Sequence, residues 1–409
     1  MKQKLWIWLG IWNLTVFYLF TNTAAAVRGQ AVPVQPAYEL RGMNNQAEKT
    51  DNSLTLAPAA VLMESETGTV LYEKEPDAKR SPASITKIMT LLLIFDALQE
   101  GRISLSDPVV TSSYAKSMGG SQVFLEEGET QDVETMIKCI VIASGNDASV
   151  AMAEHLAGSE QEFVKQMNAK AAELGMENTH FMDCCGLTDS AEHYTTARDV
   201  AIMSRELVGN YPEVLDYSSI WMENILHTTR QGTSEFCLTN TNKLLRAFEG
   251  CKGLKTGSTS KAKYCLSAVA DRNDIRLIAV VLGAPDNKAR FRDAASLLNL
   301  GFSRCSRYTD TSAKAPGALK VTGSMQKQVS LRLEGPFSYL STDGTTVTEP
   351  ETKVVLPDAA KAPVVEGEAA GELQYYQKGK LLGSVRILYG ESVDAASWMD
   401  YFRMLVGRL

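Results

Sequence analysis

Cysteine is scarce: seven residues in a chain of 409, an odd number without regular spacing. That argues against a disulfide scaffold and against a zinc site built from paired cysteines. Histidine is scarcer still. The four residues His155, His180, His193 and His227 share no metal-ligand spacing, and they read as surface or structural side chains. A long basic run is also missing, and the formal net charge is −7. An acidic chain of this kind is a poor candidate for nucleic-acid binding. Hydrophobic residues make up 44% and charged residues 22%, which excludes a mainly disordered, collagen-like or multi-span membrane chain. A length of 409 implies two or three domains. Cys184 and Cys185 are adjacent, but adjacency alone implies no chemistry.

Lys2 and Lys4 precede a strongly apolar stretch from Leu5 to Phe20, and Ala24-Ala25-Ala26 follows. A positive start, a short apolar core and small residues at a cleavage site predict a signal peptide over 1–26 and an exported mature chain. The stretch is short for a membrane span, which disfavours an uncleaved anchor. Residues 27–55, with Pro33 and Pro36, read as a flexible lead-in.

In the mature chain, β-like runs at Ala60–Met63 and Val70–Tyr72 flank the turn Glu66-Thr67-Gly68 and predict a hairpin. Ile85–Leu98 is apolar nearly all round and predicts a fully buried helix. Further helices are predicted over Val133–Ala143, Asp147–Leu156, Glu160–Leu174, Asp199–Val208 and Ala289–Leu300. Tyr264–Ala270 and Ile275–Leu282 read as strands around a polar turn. The expectation is an α+β domain over 56–310, an antiparallel sheet built from the chain's two ends and packed on a helical cluster. Residues 318–392 alternate at period two around Val329, Leu331, Leu333, Leu373 and Tyr375, with turns at Asp343-Gly344 and Lys378-Gly379-Lys380. They predict a small all-β domain. The tail, 393–409, ends in an amphipathic helix with Trp398, Tyr401, Phe402, Leu405 and Leu409 on one face. Such a helix lies in a membrane interface or packs on the β domain.

The chemistry begins at Ser81-Pro82-Ala83-Ser84-Ile85-Thr86-Lys87. Ser81 reads as a helix cap and Pro82 as a first-turn residue, which places Ser84 in the first turn. Lys87, three residues on, shares its face. A serine hydroxyl needs a base to become a nucleophile, and a lysine whose pKa is pushed down by desolvation can be that base. Ser-x-x-Lys alone is weak, because the chain contains it five times, starting at Ser84, Ser113, Ser258, Ser260 and Ser324. Only the Ser84 copy joins a capping proline to a long apolar helix. Ser144-Gly145-Asn146 follows in a break between helices, and Lys255-Thr256-Gly257 follows just before the strand pair, where an edge strand could carry it. Each alone has a bland explanation, a capping turn or a surface strand end. All three in this order match the motif set of the β-lactamases and penicillin-binding enzymes.

From about Leu56 to Leu409 the sequence resembles the low-molecular-weight penicillin-binding proteins that act as serine D-alanyl-D-alanine carboxypeptidases. Ser84-Ile85-Thr86-Lys87-Ile88-Met89-Thr90, Ala143–Ala148 and Gly253–Gly257 carry the likeness. So do Asn178-Thr179-His180-Phe181, Gly186-Leu187 and His193–Asp199. The resemblance implies a β-lactamase/transpeptidase-like fold and an acyl-enzyme on Ser84 formed from stem peptides ending in D-Ala-D-Ala. Lys87 would be the base, and Ser144 would pass the proton to the leaving amine. Asn146 would hold the substrate amide, Lys255 and Thr256 would bind the terminal carboxylate, and the N–H groups of Ser84 and Ser258, beside Gly257, would form the oxyanion hole. It also implies β-lactams as covalent inhibitors, no metal or organic cofactor, and a tail lying on the membrane surface. This chain departs from the usual pattern at Asp183-Cys184-Cys185, where Asn-Pro often precedes the Gly-Leu pair. It departs again at Ser258, often His, and at Lys252, which is Asp in some relatives.

Two other functions stay open at this point. A class A-like β-lactamase would need a deacylating glutamate between the second and third motifs, and no convincing Glu-x-x-x-Asn loop is found there. A catalytically inactive cell-wall binding or sensing protein would keep the motifs without turnover. Comparing turnover of a penicillin with turnover of a D-Ala-D-Ala peptide separates all three.

Overall fold

The computed structural model describes residues 54–230 and 232–406. The signal peptide and nearly all of the lead-in expected from the sequence lie outside the described residues. Leu54 and Thr55, counted with that lead-in, already belong to the packed body. Thr55 is buried, and its carbonyl accepts from Lys74 Nζ at 2.9 Å.

The chain opens with β1 (Ala59–Glu64) and β2 (Val70–Lys74), antiparallel around the Glu66–Gly68 turn. A 3-10 turn (Ala83–Thr86) leads into α1 (Lys87–Gln99). Next come β3 (Pro108–Val110), α2 (Ser113–Lys116), β4 (Thr130–Asp132), α3 (Val133–Val141), α4 (Asn146–Ala157), α5 (Glu160–Glu173), α6 (Ala197–Asn210) and α7 (Val214–Ser218). A hairpin of β5 (Met222–Thr229) and β6 (Gly232–Thr239) follows. Then β7 (Cys251–Thr259), β8 (Lys263–Arg272), β9 (Ile275–Ala284) and α8 (Asn287–Arg304) close the first part.

Five of these strands form one sheet in the order β2-β1-β9-β8-β7. First and last strands therefore meet at its centre, where β1 pairs antiparallel with β9. Both faces are covered. Ala59, Val61 and Met63 of β1 face the helical cluster, and Ala60 and Leu62 face the side covered by α8. That two-sided burial explains why these strands read as apolar runs rather than as a polar alternation. Helix α1 crosses the cluster with every residue from Lys87 to Phe95 buried. Caps fix the helix starts around it: Asp132, Ser159, Thr196 and Asp286 each accept a backbone N–H in the first turn of α3, α5, α6 and α8.

The remainder is nearly all strand: β10 (Ser306–Asp310), β11 (Ala318–Thr322), β12 (Gln328–Leu333), β13 (Phe337–Ser341), β14 (Glu351–Val355), β15 (Ala360–Lys361), β16 (Ala369–Gln377) and β17 (Lys380–Tyr389). Six of them form a sheet, β14-β16-β17-β12-β11-β15, and β10 pairs with β13. Stretch 306–310, counted with the first domain in the sequence, thus hydrogen-bonds into the second. Strand β10 finds its partner 27 residues on, in the register Asp310↔Phe337. Tyr375 and Phe337 stack at the core with ring centroids 3.8 Å apart. Helix α9 (Trp398–Val406) ends the described chain and buries none of its residues. Among the described residues, no helix is long and apolar enough to cross a membrane.

Candidate active site

Ser84 lies in the 3-10 turn that precedes α1. The sequence placed it one turn further in, behind a Ser81 cap. Instead Pro82 occupies the cap position without a side-chain bond, and the α-helix begins at Lys87. The turn is tight because Ala83 adopts φ +49°, a costly value for a residue with a Cβ. Two contacts hold it. The Thr86 hydroxyl donates to the Ala83 carbonyl at 2.8 Å. Gly186, at φ +78°, packs so closely that a Cβ there would run into the same carbonyl oxygen.

Lys87 is 0% exposed. Its Nζ lies 3.2 Å from Ser84 Oγ, 2.6 Å from Asn146 Oδ1 and 2.8 Å from the Cys185 carbonyl oxygen. Burial lowers its pKa from the ordinary lysine value. The negative charge available at Cys185, Cys184, Asp183 and Asp147 opposes that shift. A neutral amine has two N–H bonds and one lone pair. In that form the two carbonyl oxygens can take both N–H groups and the lone pair faces the Ser84 hydroxyl, whereas the protonated amine donates to all three oxygens. Asn146 opens α4 and is itself fixed, with Nδ2 donating to the Gly119 carbonyl at 2.7 Å. Its oxygen therefore turns to Lys87, and one Nδ2 hydrogen remains for a substrate. Asp147 beside it accepts from the N–H groups of Val123 and Leu125 and anchors the loop that carries Gly119.

Ser144 sits between α3 and α4 at φ +64°. Lys255 on β7, an edge strand as the sequence suggested, places Nζ 2.8 Å from Ser144 Oγ and 3.1 Å from the Thr256 carbonyl. The pKa of Lys255 is pushed well below its ordinary value by burial, then by the nearby charges of Lys87 and Arg290. Thr256 shares its hydroxyl with Thr241 at 2.6 Å. At Gly257 a Cβ would stand 2.9 Å from the Pro82 carbonyl oxygen and 3.1 Å from the Ser84 nitrogen. Glycine thus lets β7 run directly against the Ser84 turn, and exposed Ser258 follows at the strand's end. Arg290 of α8 donates to the Gly257 carbonyl at 3.2 Å from behind the sheet.

Sequence reasoning placed Ser84, Lys87, Ser144, Asn146, Lys255, Thr256, Gly257 and Ser258 in one site, and the fold brings all eight to one region. It missed the Cys185 carbonyl, Thr241, Gly119 and Arg290. Two of these, Cys185 and Gly119, act through a backbone oxygen and leave no signal of residue type. Glu160, Asp183 and Cys185 offer ligand-type atoms within 4.8 Å of one another. The carboxylates are already engaged. Asp183 accepts from the N–H groups of Cys185, Gly186, Leu187 and Thr188, and Glu160 accepts from Cys184 N and the Tyr114 hydroxyl. This cluster shapes the 183–188 loop.

Residues 45–286 match the family described as D-alanyl-D-alanine carboxypeptidase, and residues 311–395 match the penicillin-binding protein 5 C-terminal domain. The D-alanyl-D-alanine carboxypeptidase DacF of Bacillus subtilis (strain 168) is 41% identical over 356 residues, which is 86% of this chain and 89% of that one. Penicillin-binding protein 5 from Haemophilus influenzae superposes with a TM-score of 0.63 at 29% identity, over 83% of this chain and 98% of its own. A peptidoglycan synthesis regulatory factor from Streptococcus pneumoniae gives 0.66 at 27% identity, over 83% of this chain and 100% of its own.

Proposed function

The chain belongs to the D-alanyl-D-alanine carboxypeptidase family, and we propose that Ser84, Lys87 and Ser144 carry its reaction on peptidoglycan stem peptides. The Lys87 amine takes the Ser84 proton. The freed oxygen attacks the carbonyl carbon between the two D-alanines. Negative charge on the carbonyl oxygen is met by the N–H groups of Ser84 and Ser258. As the C–N bond breaks, the proton held on Lys87 is passed through the Ser144 hydroxyl to the departing D-alanine amine, which leaves Lys87 neutral, while Lys255 tunes Ser144 electrostatically. Water, activated by Lys87, then hydrolyses the Ser84 ester. Asn146 holds the substrate amide through its remaining N–H. Lys255, Thr256 and Thr241 take the terminal carboxylate, a role that the clustered positive charge beside β7 favours.

The observation that carries this reading is the Lys87 amine, buried and held by two carbonyl oxygens with the Ser84 hydroxyl 3.2 Å away. A β-lactam enters the same path and leaves a stable penicilloyl ester on Ser84. Export through the 1–26 signal peptide, and attachment to the outer face of the cytoplasmic membrane through the exposed apolar face of α9, complete the reading. Mass spectrometry of the mature protein after penicillin exposure tests it. The adduct is expected on the peptide containing Ser84, and Ser84→Ala is expected to lose both the adduct and release of D-alanine from a stem-peptide mimic. Release of D-alanine by Ser84→Ala would overturn the assignment.

A further inference from the structure

Two separate supports place the Lys87 amine. One is the Ser84 turn, held by the Thr86 hydroxyl on the Ala83 carbonyl. The other is the 182–188 segment, whose Cys185 carbonyl takes one Lys87 N–H. They come from distant parts of the chain, and one side chain touches both. His193, 1% exposed, lies with Nε2 2.9 Å from Thr86 Oγ1 and with Nδ1 accepting the Met182 N–H at 2.9 Å.

The direction of these bonds is fixed. A backbone N–H can only donate, so Nδ1 carries no proton. The neutral ring then holds its one proton on Nε2, and Nε2–H donates to Thr86 Oγ1. The Thr86 hydroxyl proton is thereby committed to the Ala83 carbonyl. A one-way relay runs from Met182 through His193 and Thr86 to the strained residue beside the nucleophile. The ring itself is held by the bridge between His180 and Tyr194, whose backbones exchange hydrogen bonds of 2.9 and 3.0 Å, and by the Phe181 ring against its edge.

We propose that His193, a neutral imidazole bridging Thr86 and Met182, is a positioning residue that locks the Ser84 turn and the Cys185 loop into one geometry around the Lys87 amine. Acylation is sensitive to that geometry, because a small displacement of a reacting pair removes much of the gain from holding it. Burial lowers the His193 pKa, as do the nearby charges of His180 and Lys261, while Asp183 opposes them; the neutral form that the relay requires is thus the favoured one.

The inference rests on Ser84 being the nucleophile, and the experiment separates the two. Penicillin acylation is followed by stopped-flow and mass spectrometry in the full mature chain for wild type, His193→Ala, His193→Gln, Thr86→Val and the His193→Ala/Thr86→Val double variant, with melting temperature measured alongside. His193→Ala and Thr86→Val are each expected to slow acylation by roughly 10-fold or more. The double variant is expected to be no more than about 3-fold slower than either, since both break one relay. His193→Gln, which restores an N–H donor toward Thr86, is expected to recover most of the rate. A His193→Ala protein that melts lower yet acylates at the wild-type rate would show a purely structural histidine and overturn the proposal. Multiplied losses in the double variant, or no recovery with glutamine, would also overturn it. An adduct found away from Ser84 in the wild type would remove the Ser84 assignment, and this inference with it.

Discussion

The amine of Lys87 and the amide oxygen of Asn146 are 2.6 Å apart, and the amide cannot turn away because its nitrogen donates to the Gly119 carbonyl. A neutral acceptor holds the Lys87 amine without adding charge. Asn146→Asp would place a carboxylate in contact with the amine, favour its protonated form and raise its pKa. Acylation by penicillin at neutral pH is expected to fall by about 10- to 100-fold, with the acid limb of the pH–rate profile moved upward. Asn146→Ala should slow acylation without that upward move. Identical acid limbs for the Asn146→Asp variant and the wild type would show that Asn146 does not govern the protonation of Lys87.

Both buried lysines have pKa values below the ordinary 10.5. Between its lowered folded value and 10.5, each binds more protons unfolded than folded. Stability therefore rises with pH across that window, and the full cost of the buried charge is carried below it. Lys255→Met removes one such group. The rise in melting temperature from neutral toward alkaline pH is expected to be flatter in this variant than in wild type. At neutral pH it should melt no lower than wild type, while acylation falls by roughly 100-fold or more as the site loses its charge. Parallel melting curves against pH would mean that Lys255 is not a source of this dependence.

How much of this was visible in the sequence follows from what a residue type can announce. The convergence of Ser84, Lys87 and the two further motifs was legible because the proposed reaction demands a hydroxyl, an amine and an amide of those kinds. Helix α1 was legible because a helix apolar on every side has nowhere to go but inside. The supports were not. Cys185 acts through its carbonyl, which any residue owns. Ala83 sits at φ +49°, where a left-handed backbone would have suggested glycine, and the Thr86 hydroxyl and Gly186 that hold its carbonyl lie outside what its own residue type announces. The β5–β6 hairpin went unseen because its residues are mostly exposed and residue type does not follow burial: apolar Met222 and Leu226 face outward while His227 is buried. Pairing of β10 with β13 was hidden for another reason, since a strand's sequence does not name its partner.

Gly186 gives the most direct test of that hidden support. Its φ of +78° disfavours any side chain, and a Cβ would strike the Ala83 carbonyl oxygen and approach Thr86 Oγ1 to 2.8 Å. Backbone atoms cannot swing aside as a flexible side chain can, so Gly186→Ala must displace the Ser84 turn or the Cys185 loop. We expect a loss of about 2–4 kcal/mol in unfolding free energy by urea titration, together with an acylation rate lowered by roughly 100-fold or more. A Gly186→Ala protein of unchanged stability and rate would show that loop and turn are not in tight contact.

The last helix calls for a measurement of a different kind. Helix α9 buries nothing, yet Trp398, Phe402 and Leu405 are 74%, 56% and 62% exposed on one face. Leaving that much apolar side chain in water is unfavourable, by roughly 1.5–3 kcal/mol for each large side chain relative to burial. An interface plane would cover this face and leave Asp400 and Arg403 in the headgroup region. The double substitution Phe402→Glu/Leu405→Glu keeps the helix solvated and removes the apolar gain. Co-sedimentation with vesicles of mixed phosphatidylglycerol and phosphatidylethanolamine should show the mature chain bound and the variant reduced by about 10-fold or more. Release of D-alanine from a soluble stem-peptide mimic should be unchanged, because no residue of α9 contributes to the site. Equal vesicle binding by the two proteins would reject the membrane role. The exposed face would then have to be covered by something other than lipid.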